Sequence, residues 1–196
     1  WVLRKKPPGQ LLPSAHAVER EFKVMRALEG SAVPVPRMLD LCEDVGVIGT
    51  PFFVMQHVPG RLMGTRFAQH GTLAERHAIN DDLIRVLAEL HRVDWRAAGL
   101  ESFGRPERYF ERQMARWGAQ WEGSRTEAAP AMESLRAWLQ QNLPREERAT
   151  IVHGDYRLGN VLVHPTEPRL VAVLDWELAT IGHPFSDLAY LCVGHH

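Results

Sequence analysis

The chain has 196 residues, 45% hydrophobic and 24% charged, with a formal net charge of -1, which suits one large domain or two small lobes sharing a cleft. That balance gives no support to polybasic binding of nucleic acid or of a membrane surface. Cys42 and Cys192 form no CxxC pair and no disulfide framework, no apolar run approaches the roughly 18 residues that span a bilayer, and the charged start Arg4-Lys5-Lys6 is unlike a signal peptide, so the expected compartment is a reducing cytoplasm.

Residues 1–5 alternate and predict a short strand, closed by Pro7-Pro8-Gly9. A helix is expected from Ala15 to Glu29, with Ser14 as N-cap, Gly30 as stop and Val18, Phe22, Met25 and Leu28 on its apolar face. Val33-Pro34-Val35-Pro36 runs extended, because a residue before proline avoids the helical region. Strands are expected at 38–42 and 52–57, joined by a turn over Gly46 to Gly49. After Pro59-Gly60 the period changes to that of helices, at Leu73–Arg92, Pro106–Trp121 and Pro130–Leu143, whose aromatic residues Phe110, Trp117 and Trp121 read as core. Short strands follow at 150–152, 161–163 and 170–174. The order is α+β: a small β-rich lobe, 1–58, and a mostly helical lobe, 59–196, joined near 57–60. The start at Trp1 inside a strand and the stop at Gly194-His195-His196 after an apolar run suggest truncation at both ends.

The chemistry concentrates in His153-Gly154-Asp155-Tyr156-Arg157-Leu158-Gly159-Asn160, followed by Leu174-Asp175-Trp176-Glu177. Phosphoryl transfer asks little of a protein: a carboxylate to orient the acceptor hydroxyl and take its proton, and hard oxygen ligands to hold Mg²⁺ against the phosphates. Asp155 fits the first role. Asn160 and Asp175 fit the second, as one neutral and one charged ligand on neighbouring segments.

This HGDxxxxN…DWE arrangement resembles the aminoglycoside phosphotransferase family, whose members share the protein-kinase-like two-lobe fold. Phe53-Val54-Met55-Gln56-His57-Val58-Pro59-Gly60 resembles that family's hinge, and Val18-Glu19-Arg20-Glu21 with Val33-Pro34-Val35-Pro36 resembles its helix after the nucleotide-lysine strand. Val2-Leu3-Arg4-Lys5-Lys6-Pro7-Pro8-Gly9 and Leu12-Pro13-Ser14-Ala15-His16 are similar to the subgroup of kinase-like domains that precede the dehydrogenase in acyl-CoA dehydrogenase family members ten and eleven, and to stand-alone bacterial relatives.

The resemblance implies further roles. Glu21 lies inside an apolar stripe and needs a cation; the family position of that cation, which also grips the nucleotide phosphates, falls on Arg4, where the family usually has Lys. The Gln56 carbonyl and the Val58 amide would meet the adenine edge. Asp187 would brace the catalytic loop, His153 would orient it, and Glu177 reads as a capping residue. Gly182-His183-Pro184 departs from the subgroup's Gly-Asp-Pro. The expected reaction moves the γ-phosphate of ATP or GTP, with Mg²⁺, to a hydroxyl of a small molecule; by subgroup the acceptor would be a hydroxyacyl-CoA, with a fused or partner acyl-CoA dehydrogenase. An aminoglycoside kinase and a non-catalytic pseudokinase binding module are the alternatives.

Overall fold

The computed structural model describes residues 1–6, 17–63, 71–145 and 148–193. Strand β1 (Val2–Lys5) alternates half-buried Val2 and Arg4 with exposed Leu3 and Lys5, as a period of two demands of an edge strand with one face covered. It pairs antiparallel with β3 (Phe52–Met55), Arg4 opposite Phe53, and β3 pairs with β2 (Met38–Cys42), giving the order β1-β3-β2. Helix α1 (Val18–Leu28) covers this sheet with Val18, Glu21, Val24, Met25 and Leu28, and Phe22 meets Phe53 with ring centroids 6.1 Å apart. Its N-cap is Ala17, which makes no side-chain cap; the expected cap Ser14 and the expected start at Ala15 lie outside the described residues. The expected turn over Gly46 to Gly49 contains one helical turn, α2 (Val45–Ile48), capped by Asp44, whose Oδ1 accepts from the Gly46 amide at 2.7 Å.

The second lobe is built on α3 (Leu73–Arg92), opened by Thr72, whose Oγ1 accepts from the Glu75 amide at 3.1 Å. It buries Ile79, Leu83, Val86, Leu87 and Leu90, the spacing the sequence carries. Helix α4 (Tyr109–Ser124) begins three residues after the expected Pro106, because Arg108 takes a left-handed φ of 51° that a helix cannot include. α4 buries Tyr109 and Gly118, and α5 (Pro130–Gln141) has no buried residue among those described. The reading of the α4 aromatics as core is therefore corrected: Trp117 is exposed and Phe110 and Trp121 are only half-buried. Periodicity identifies an apolar face but not what covers it.

Two small antiparallel ladders carry the polar segments: β4 (Thr150–Val152) with β7 (Thr180–Gly182), and β5 (Val161–Val163) with β6 (Leu170–Val173). Helix α6 (Phe185–Cys192) follows. Backbone joins the lobes where the Val173 amide donates to the Pro34 carbonyl at 2.8 Å, and within the second lobe the Arg61 amide donates to the Val163 carbonyl at 2.7 Å. Arg20 reaches from α1 to the Phe103 carbonyl at 2.8 Å. No helix among the described residues is long and apolar enough to cross a membrane.

Candidate active site

The central loop leaves β4 at Val152 and turns at Gly154, whose φ is 87°. A Cβ there would lie 2.9 Å from both the Cβ and the carbonyl oxygen of Leu178, so conformation and space both require glycine. The turn is clamped by Asp187, a fully buried carboxylate in the first turn of α6. Its Oδ2 accepts the His153 amide and its Oδ1 the Gly154 amide, each at 2.8 Å, and His91 Nε2 lies 3.2 Å from Oδ2. The expected bracing by Asp187 thus has a defined geometry.

Asp155 follows, half-buried and surrounded by donors. Asn160 Nδ2 donates to its Oδ2 at 2.6 Å and to its carbonyl at 2.9 Å. Arg157 Nε lies 3.1 and 3.2 Å from its two carboxylate oxygens, and the Tyr190 hydroxyl donates from α6. Burial pushes the Asp155 carboxyl up, but the hydrogen bonds from Tyr190, Asn160 and Arg157 outweigh it and hold it below the usual aspartate value. Asn160 sits in a 3₁₀ turn, Leu158–Asn160. Because its Nδ2 is spent on Asp155, Oδ1 is the atom it can offer elsewhere.

Asp175 comes off the end of β6 with a φ of 65°, rare for a residue with a Cβ. Its segment is held against the Asp155 loop twice. The Leu174 amide donates to the Asn160 carbonyl at 2.8 Å. His153, fully buried, has Nε2 3.0 Å from the Leu174 carbonyl while its Nδ1 accepts the Asp155 amide at 3.2 Å. Asp155, Asn160 and Asp175 therefore belong to one hydrogen-bonded unit built from a loop and the following hairpin.

Arg4 reaches this unit from the other lobe. Its Nε lies 3.2 Å from Glu21, and its Nη2 lies 3.3 Å from Asp175 and 3.6 Å from Glu177. Burial raises the Glu21 pKa, Arg4 lowers it, and repulsion from Asp175 and Glu177 adds to the rise, so the carboxyl stays above its ordinary value. Glu177, expected as a cap, is a third acid on one guanidinium. Gln56 and Val58 lie just past β3, outside this network; the Gln56 amide is spent on the Arg37 carbonyl at 2.9 Å.

Beyond Asp155 opens a cavity of about 620 Å³ whose walls include Tyr109, Phe110, Arg116, Trp117 and Tyr190. Sequence reasoning missed Tyr190 and Arg157 as neighbours of Asp155. Tyr190 stands three residues after Asp187, on the same helical face, but that spacing does not point to Asp155.

The chain is similar to named proteins and solved structures. Acyl-CoA dehydrogenase family member 10 of Mus musculus is 48% identical over 195 residues, covering 100% of this chain and 18% of the relative. Family member 11 of Rattus norvegicus is 47% identical over 192 residues, covering 97% of this chain and 25% of the relative. The chain thus spans a quarter or less of the length of these curated relatives. Among solved structures, a provisional aminoglycoside phosphotransferase of Ralstonia eutropha JMP134 is 48% identical with a TM-score of 0.89, covering 99% of this chain and 57% of that one. Aminoglycoside-3'-phosphotransferase of type VIII is 25% identical with a TM-score of 0.62, covering 88% of this chain and 62% of that one. The fold is the protein-kinase-like one of these enzymes, in part. The model of the phosphotransferase enzyme family (APH) matches residues 1–196, and the chain belongs to that family.

Proposed function

We propose that this chain moves the γ-phosphate of ATP or GTP to an alcohol hydroxyl of a small molecule, with Asp155 as base and Mg²⁺ held by Asn160 and Asp175. The observation that carries the reading is the Asn160 side chain: its amide nitrogen is bound to Asp155 and its backbone carbonyl to Leu174. One residue thereby ties the base to the Asp175 segment and keeps an oxygen in reserve.

The donor set fits a magnesium ion. Mg²⁺ takes one or two protein oxygens and completes its shell with phosphate and water; among the described residues no group of three or more His, Cys, Asp and Glu could hold a metal alone. Glu21, Asp175 and Glu177 share one guanidinium, a local excess of negative charge that a divalent cation on Asp175 would relieve. When bound, the ion would neutralise charge on the β- and γ-phosphates. Arg4, anchored by Glu21, would grip the nucleotide phosphates, and the Gln56 carbonyl and Val58 amide would meet the base. Asp155 is ionised at neutral pH and accepts the proton that the acceptor hydroxyl loses as its oxygen attacks phosphorus. Its low basicity suits a loose transition state, in which the nucleophile needs orientation more than early deprotonation.

The acceptor is proposed to be a hydroxyacyl-CoA. Support comes from the relatives named as acyl-CoA dehydrogenases and from the cavity beside Asp155. Its wall offers aromatic surface and Arg116, and Asp155 is the sole carboxylate among its described lining residues, a poor match for a polycationic aminoglycoside. The aminoglycoside reading rests on the names of the structural neighbours. The lobe boundary is placed at 58/59, between the end of β3 and the Arg61 bridge to β5, with a cytoplasmic location and a fused or partner dehydrogenase as the setting.

The test is kinetic. In the full-length protein, Asp155→Ala should lower phosphoryl transfer about 10²–10⁴-fold while sparing nucleotide affinity, and Asp175→Ala should weaken Mg–nucleotide binding itself. Transfer left intact by Asp155→Ala would show that the base is elsewhere. A nucleotide-consumption screen with hydroxyacyl-CoAs, aminoglycosides and amino-alcohols identifies the acceptor.

A further inference from the structure

Three donors hold the Asp155 carboxylate, and they differ in origin. Asn160 and Arg157 belong to the same loop as Asp155. The Tyr190 phenol comes from α6, and of the three it alone lines the cavity into which Asp155 faces. A molecule in that cavity lies beside both the carboxylate and Tyr190. The ring is partly exposed and its hydroxyl is engaged with Asp155, so its hydrogen bond is one that an entering ligand can replace.

Resting on the phosphotransferase reading, we propose that Tyr190 determines specificity on the acceptor side: its phenol occupies the hydrogen-bonding position on Asp155 that the acceptor hydroxyl takes over. The phenol is a tethered O–H donor, so an acceptor alcohol that displaces it makes the same bond and brings apolar contacts with Tyr109, Phe110 and Trp117 that water lacks. Water therefore competes poorly. The side reaction Tyr190 suppresses is hydrolysis of the nucleotide, in which a water oxygen bonds to the γ-phosphorus, the bond from that phosphorus to the bridging oxygen breaks, Asp155 takes the water's proton, and nucleoside diphosphate and phosphate leave.

Tyr190→Phe keeps the ring and removes only the oxygen. In the full chain, acceptor-free release of phosphate from Mg-ATP should rise about three- to tenfold over wild type, with the KM for Mg-ATP unchanged. Phosphate release equal to wild type, or a parallel loss of turnover and Mg-ATP affinity as expected of a purely structural residue, would overturn the proposal. A wild-type protein that neither hydrolyses Mg-ATP nor transfers its phosphate would instead sink the phosphotransferase reading, and this inference with it.

Discussion

His153 makes two hydrogen bonds that only one tautomer can make together. Nε2 must carry the proton to donate to the Leu174 carbonyl at 3.0 Å, and Nδ1 must be bare to accept the Asp155 amide at 3.2 Å. A second proton would set N–H against N–H inside a site with no solvent access. Burial lowers the ring's pKa; Asp187, Asp155 and Asp175 pull the other way but do not win. The sign follows from linkage: the unfolded ring takes a proton near 6.5 and the folded ring does not, so the stability from His153 is complete above that pH and is lost as pH falls. Urea unfolding between pH 7 and 5 should show His153→Gln less stable at pH 7 but with a shallower acid slope, by up to about 1.4 kcal/mol per pH unit for one proton. Parallel slopes would show that the ring is not held neutral. That Asp155, Asn160 and the Asp175 segment come together was legible in the sequence, because a loop and the hairpin that follows it carry all three. Tyr190 was not, because its hydrogen bond to Asp155 joins segments that only the tertiary fold brings together.

Among the elements, α3 matches expectation from Leu73 to Arg92: twenty residues without Gly or Pro, an N-cap at Thr72 and five buried residues on one face leave no competing reading. The start of α4 was misjudged because proline at 106 is a valid first helical residue, and nothing local reveals that Arg108 turns left-handed. β7 and α6 were not legible as elements. β7 has three residues and ends in glycine, so it exists by pairing with β4 rather than by propensity. α6 nonetheless holds the loop in place through Asp187. Removing that carboxylate strands the His153 and Gly154 amides in the interior, where an unmet donor costs about 1–3 kcal/mol. Asp187→Ala should therefore lower unfolding free energy by about 3 kcal/mol or more, read by urea denaturation, whereas Asp187→Asn, which keeps one acceptor oxygen, should lose less. Equal losses in the two variants would mean that Asp187 fills space rather than bracing the loop.

Across the whole molecule, the two lobes were expected from the sequence, as was a cation for Glu21 in its apolar stripe, a role the family resemblance assigned to Arg4, which meets Glu21 at 3.2 Å. The sequence did not reveal that Arg4 also reaches the second lobe. One guanidinium spans β1, α1 and the segment after β6, with Nε toward Glu21 and Nη2 toward Asp175 and Glu177. Such a fork suits Arg because its nitrogens diverge from a rigid plane; a lysine ammonium is a single point of charge and cannot serve both sides. The Arg4 side chain is 40% exposed, so its ion pairs contribute little to stability, about 1 kcal/mol or less. On the proposed function the consequence belongs to binding: an Arg anchored at Nε by Glu21 would be aimed where phosphate and Asp175 meet. Arg4→Lys should leave the urea midpoint nearly unchanged and weaken Mg-ATP binding about tenfold by calorimetry, the loss of roughly one charge-assisted hydrogen bond. Glu21→Gln should weaken it as well, and the double variant should fall short of the sum, because both substitutions release the same guanidinium. Full additivity in that cycle, or Arg4→Lys binding as tightly as wild type, would mean that the contact between the lobes is incidental to the nucleotide.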